Sequence, residues 1–160
     1  MLQQPERLTV EQLLYQLNEK ANLLYKFVML YSDYTAEIQD YGTGEMINMV
    51  EVHTLTAIED HPGVNVSELA LMFNRTKGAI SQIATRLENK GYIERRKNPD
   101  NAKIVELFPT ERGVRLSQAH KRYDSVEVSK TLDELVRAGC TSEEIDAFFK
   151  VVSKYIDILV

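Results

Sequence analysis

Five residues between positions 77 and 89 have the types and spacing to touch the edges of nucleic-acid bases: Gly78, Ser81, Gln82, Thr85 and Asn89. At about 100° per residue they cluster on one side of a helix, while Ile80, Ile83, Ala84 and Leu87 fall on the other. The polar side is almost uncharged, whereas a solvated helix face usually carries Glu and Lys four residues apart. Gln can pair bidentately with adenine, and Ser and Thr adapt to several bases. Gly78 weakens the helix but lets another backbone come close, and N–H groups at a helix start favour a phosphate. Thr76 is placed to cap this helix. Arg75, Lys77 and Arg86 flank the face, where phosphate contacts would set register without reading sequence.

The same region concentrates positive charge that could serve such contacts. Residues 74–103 carry eight cations against three anions, a net +5, inside a chain of formal charge −5, so the remainder carries −10. One basic segment in an acidic body is the electrostatic footprint expected of a nucleic-acid face. Arg95, Arg96, Lys97 and Lys103, with Asn98 and Asn101, surround a Pro-Asp turn whose basic tip could follow the backbone or enter the neighbouring minor groove. In a regular strand Arg95 and Arg96 face opposite ways, so one of the two is expected to be structural.

Other chemistries find less support. The chain lacks G-x-S-x-G, G-x-x-x-x-G-K-[ST], H-E-x-x-H and G-x-G-x-x-G, so no enzyme and no cofactor is expected. His53, His61 and His120 show no clustered ligand spacing, and no metal site is expected. Cys140 is the sole cysteine, which excludes an intramolecular disulfide and a cysteine metal cluster, and places the protein in a reducing, cytoplasmic compartment. Glu143 and Glu144 beside it oppose a reactive thiolate. The N-terminal "MLQQPERLTVEQ" has no apolar core for a signal peptide, and no apolar run is long enough to span a membrane.

The elements that must position the basic segment can be read from caps and periodicity. A chain of 160 residues with 44% hydrophobic side chains suffices for one globular domain. Thr9 and Gln12 form a capping box for a long first helix, whose apolar pattern runs through Leu13, Leu17, Leu24, Val28, Tyr31, Thr35 and Ile38 until "DYGTG". At about thirty residues, roughly 45 Å, it is longer than one such domain needs and suits packing on a second subunit. A second helix is expected from about 48 to 60, a third over 66–73 behind an Asn65 and Glu68 box, and a fourth over 77–89, ended by Gly91. "YIERRK" and "KIVELF" then read as a hairpin, and two final helices over about 111–137 and 142–159 follow. The fold class is mainly α with a small β-hairpin wing: a winged helix-turn-helix flanked by long terminal helices. Its expected parts are residues 1–47 and 110–160 for dimerisation and 48–109 for DNA binding.

The stretch "NVSELALMFNRTKGAISQIATRLENKGYIERRKNPDNAKIVELFPTERG" resembles the core of the MarR family, the multiple antibiotic resistance regulators of bacteria. The Glu-Leu-Ala of the third helix, "RLENKGYIERR" and "LFPTERG" carry the likeness, strongly over about fifty residues and in architecture over the whole chain. The resemblance implies a cytoplasmic regulator, bacterial or archaeal, that dimerises through interleaved terminal helices and binds a pseudo-palindromic operator as a repressor. Family members often carry Asp-x-Arg at the wing tip. Here the matching positions are Asn101, Ala102 and Lys103, and Lys lacks the planar fork of Arg, which weighs against minor-groove reading. The resemblance also implies a small effector, apolar or aromatic. Tyr25, Tyr31 and Tyr34 could wall its pocket, though filling the dimer core is the preferred reading of these rings. The competing function is a winged-helix protein-interaction module that never touches DNA. Ser81, Gln82 and Thr85 set among cations favour the nucleic-acid reading.

Overall fold

The computed structural model describes residues 9–159, so the N-terminal stretch examined for a leader lies largely outside the described residues. Two compact units result, one ending at Glu37 and one starting at Ile38. The first contains α1 (Val10–Ala36), a single helix entered through the Thr9 and Gln12 capping box. None of its residues is buried, so its apolar side chains have no core of their own to fill.

The second unit begins with a difference from the sequence reading. Ile38, read as a continuation of the first helix, lies in β1 (Ile38–Asp40), which pairs antiparallel with β2 (Met46–Asn48). The turn explains the break: Asp40 Oδ1 accepts from the backbone N–H groups of Gly42, Thr43 and Gly44, each at 2.9 Å. A carboxylate that satisfies three backbone donors at once fixes a turn where a helix would otherwise continue. Tyr41, in the "DYGTG" segment that ends the first helical pattern, is buried here.

Three helices and a hairpin follow, with caps where the sequence places them. These are α2 (Met49–Asp60) behind Asn48, α3 (Val66–Met72) behind the Asn65 and Glu68 box, and α4 (Lys77–Asn89) behind Thr76. Asn74 takes a positive φ of 47° in the tight turn between α3 and α4, a conformation Asn tolerates better than most residues. The wing is β3 (Ile93–Lys97) paired antiparallel with β4 (Val105–Pro109), with Arg95 opposite Leu107 and Arg96 opposite Glu106. The chain before α3 adds a short third partner, since Leu107 N–H donates to Val64 O at 3.0 Å and Gly63 N–H to Leu107 O at 2.9 Å. The wing is thereby tied to the base of α3.

Two long helices close the chain, α5 (Glu111–Arg137) and α6 (Ser142–Leu159), the latter capped by Thr141 and Glu144. The core gathers Val52, Leu55 and Ile58 of α2, Leu69 of α3, Ile80, Ala84 and Leu87 of α4, Leu107 of β4 and Leu116 of α5. Gly113 is required where α5 starts. A Cβ there would stand 2.0 Å from the carbonyl oxygen of Tyr92. The N-terminal half of α5 packs into this core, whereas α6 has no buried residue.

Candidate nucleic-acid interface

The fourth helix divides as its sequence requires. Ile80, Ile83, Ala84 and Leu87 are buried, and Gly78, Ser81, Gln82, Thr85 and Asn89 are exposed. Nothing lies within 4 Å of where a Gly78 Cβ would be, so that position is open to an approaching molecule. Thr76 is committed to the cap, its Oγ1 accepting from Ala79 N–H at 3.2 Å. Thr85 is likewise engaged: its hydroxyl donates to Ser81 O at 2.9 Å and accepts from Arg95 Nη2 at 3.0 Å. The side chains of Ser81 and Gln82, by contrast, form no hydrogen bond among the described residues.

A buried carboxylate holds this helix from behind. Glu51, 2% exposed on α2, accepts from Arg86 Nε at 2.6 Å and from Lys90 Nζ at 2.7 Å. Burial pushes its carboxyl up, but the hydrogen bonds from Lys90 and Arg86 outweigh that, and it is held below the ordinary 4.5. Arg86, read from sequence as a phosphate contact, thus belongs to a clasp that fixes α4 on α2. The far end of α4 has a second clasp. Arg112 donates from Nε and Nη2 to Glu45 at 2.7 and 2.6 Å, and from Nη1 to Lys90 O at 2.9 Å. Tyr92 O–H donates to the same carboxylate at 2.9 Å. Desolvation, then the Glu45 carboxylate, push the Tyr92 phenol up to about 12, so it stays a donor at any ordinary pH. A cation on the last carbonyls also complements the helix dipole.

The cations of the basic segment now sort by partner. Arg95 ion-pairs with Glu88 at 3.1 Å, while Arg96 pairs with Glu94 and lies over the Phe108 ring at 4.4 Å. Both strand arginines have structural partners, where the sequence reading expected one. Arg75, Lys77, Lys97 and Lys103 are exposed and form no ion pair among the described residues. The wing-tip amides build the tip itself. Asn98 Oδ1 accepts from Asp100 and Asn101 N–H, both at 2.9 Å, and Asn101 Oδ1 accepts from Lys103 N–H at 3.1 Å. Asn98, expected at the interface, is an Asx-type turn former whose amide also bonds Glu106.

Two other expectations meet a different geometry. Tyr25, Tyr31 and Tyr34 lie exposed along α1, with Tyr31 stacked on Phe27 at 5.9 Å. A cavity of about 510 Å³ lies elsewhere, between the β1–β2 turn and α5, lined among others by Tyr41, Thr43, Arg122, Tyr123 and Val126. His53 and His120, which the spacing kept apart, meet edge to face at 4.7 Å because α2 packs on α5.

A sequence model of the MarR family matches residues 47–105. The uncharacterised helix-turn-helix-type transcriptional regulator YhjH of Bacillus subtilis is 33% identical over 84 residues, covering 52% of this chain and 48% of that protein. A second uncharacterised regulator of that type from the same organism, YybA, is 30% identical over 106 residues, covering 64% and 67%. The chain thus spans about half the length of YhjH and two thirds of YybA. Among solved structures, Streptococcus pneumoniae FabT in complex with DNA matches with a TM-score of 0.66 at 26% identity, over 91% of this chain and 96% of that one. The S. aureus MepR–DNA complex matches in fold, with a TM-score of 0.67 at 19% identity over 85% and 96%.

Proposed function

Because the chain belongs to the MarR family, we propose that it is a sequence-specific binder of double-stranded DNA, a cytoplasmic transcriptional regulator that represses as a homodimer on a pseudo-palindromic operator. The observation that carries this reading is the exposed, nearly uncharged face of α4 near Arg75, Lys77, Lys97 and Lys103, which form no ion pair among the described residues. Ser81 and Gln82 read base edges in the major groove, with Gly78 allowing close approach, while Arg75, Lys77, Lys97 and Lys103 hold phosphates. Lys103 at the wing tip contacts the backbone, in keeping with its lack of a planar fork. FabT, at 26% identity, was solved with DNA, which supports the class of partner.

Dimerisation falls to α1, the distal half of α5 and α6. Leu13, Leu17 and Leu24 of α1, Val126, Val128 and Val136 of α5 and Phe149, Ile156 and Leu159 of α6 are all exposed apolar residues. Apolar surface on this scale marks an interaction face. We place the small aromatic or apolar effector in the cavity of about 510 Å³ beside Tyr41 and Tyr123, in place of the α1 tyrosines.

Selection of bound fragments from random double-stranded DNA tests the reading. Enrichment of an inverted repeat with half-sites about one helical turn apart, roughly 10 base pairs, is expected. Recovery of an unenriched pool would instead favour the protein-interaction module.

A further inference from the structure

Thr85 differs from Ser81 and Gln82 on the outward face of α4 because its hydroxyl is already bonded within the protein. It donates to Ser81 O, one turn earlier, at 2.9 Å and accepts from Arg95 Nη2 of β3 at 3.0 Å. Glu88 holds the same guanidinium at 3.1 Å. The hydroxyl is thus pinned from two sides, yet the residue is exposed. A hydroxyl has one proton to give. With that proton on Ser81 O, Thr85 has no donor left for guanine O6 or N7, or for thymine O4. The other heavy atom on its Cβ is the γ-methyl, and one torsion sets both, so fixing the hydroxyl fixes the methyl.

A methyl group held rigidly on a major-groove face has one complement among the base edges. The C5-methyl of thymine is the apolar feature which that groove displays. The position of Thr85 suits the contact. Gly78, Ser81 and Gln82 precede it on the same side of the helix. Gln82 lies about 4.5 Å before it along the axis, against about 3.4 Å per base step, so a base touched by Thr85 falls within about two steps of the one Gln82 reads. A staple between wing and α4 is the first competing role for Thr85. The second is acceptance, by the remaining lone pair of the hydroxyl, from the amino group of adenine or cytosine. Both of those depend on the oxygen, whereas the thymine contact depends on the methyl carbon. Serine and valine at this position separate them.

We propose that Thr85 packs its γ-methyl against the C5-methyl of a thymine in each operator half-site, with Arg95 and the Ser81 carbonyl fixing its rotamer. This rests on the reading of α4 as the recognition helix and adds a base identity to it.

The test titrates the full chain by fluorescence anisotropy against its selected operator and against duplexes in which deoxyuridine replaces each thymine in turn. The exchange removes the methyl group and leaves base pairing intact. A thymine within about two steps of the base whose preference is relaxed by Gln82→Ala should prove sensitive. Its exchange should weaken binding about fourfold in one half-site, the worth of one buried methyl group, and about fifteenfold in both. Thr85→Ser keeps the hydroxyl and its two bonds. It should bind the thymine operator as weakly as the wild-type chain binds the uracil one, with no further loss on exchange. Thr85→Val keeps a methyl and should retain the uracil penalty, with circular dichroism checking that both variants fold. A selected operator without a uracil-sensitive thymine, or a penalty that Thr85→Ser keeps in full, would overturn the proposal and leave the DNA reading standing. A library that yields no enriched site would overturn both.

Discussion

Gly78 and Glu51 act on α4 from opposite sides, and each separates stability from function. Gly78→Ala meets nothing within 4 Å and removes the helix penalty of glycine, so the free protein should gain up to about 0.8–1 kcal/mol. The same methyl group obstructs a backbone approaching from outside. Urea unfolding should therefore show a higher midpoint while operator affinity, read by fluorescence anisotropy, falls. Glu51→Gln removes charge from the carboxylate bound by Arg86 and Lys90, and should cost about 1–3 kcal/mol. Its folded-state carboxyl sits below the ordinary 4.5, so its contribution is fully present above that value and is lost as pH falls through the depressed one. Unfolding midpoints taken from neutral pH to below 4.5 should fall less steeply for Glu51→Gln than for the wild-type chain.

At the scale of elements, Gly113→Ala places a Cβ 2.0 Å from the Tyr92 carbonyl oxygen, a clash with backbone that no rotamer change relieves. The loss should reach or exceed the roughly 1–3 kcal/mol typical of overpacking, seen as a lowered urea midpoint. This is the physical content of "TERG" in the sequence: Thr110 caps α5, Arg112 clasps Glu45 and the end of α4, and Gly113 lets α5 reach the wing. The α-helices were legible because local rules fix them. The Thr9, Asn65 and Thr141 caps form with partners three residues on, and α4 runs from Lys77 to Asn89 as its two-faced pattern requires. The β1–β2 hairpin was not legible, since strands of three residues offer too little alternation and Ile38 also suits a helical step from Thr35. Long-range pairings were hidden for a different reason. Glu51 with Arg86, Arg95 with Thr85 and His53 with His120 depend on how helices pack, and spacing within one segment carries no record of that.

Across the whole molecule, charge and apolar surface are segregated, and each makes a measurable statement. Within the basic segment, Arg75, Lys77, Lys97 and Lys103 form no ion pair among the described residues, which gives eight such cations in a dimer. The slope of log affinity against log salt should then be about −7, at roughly −0.9 per phosphate neutralised. Lys103→Ala should reduce its magnitude by about 2, whereas Arg95→Ala, which removes the pair to Glu88, should leave the slope nearly unchanged. Sedimentation should show a dimer, and a charged residue at Phe149 or Ile156 on α6 should shift it toward monomer. The most direct test of the account is the double variant Ser81→Ala with Gln82→Ala, titrated against the selected operator and a scrambled duplex at several salt concentrations. The account predicts that affinity for the operator falls to that for the scrambled duplex, with the salt slope on the scrambled duplex preserved. An unchanged ratio of the two affinities in the folded double variant would contradict it.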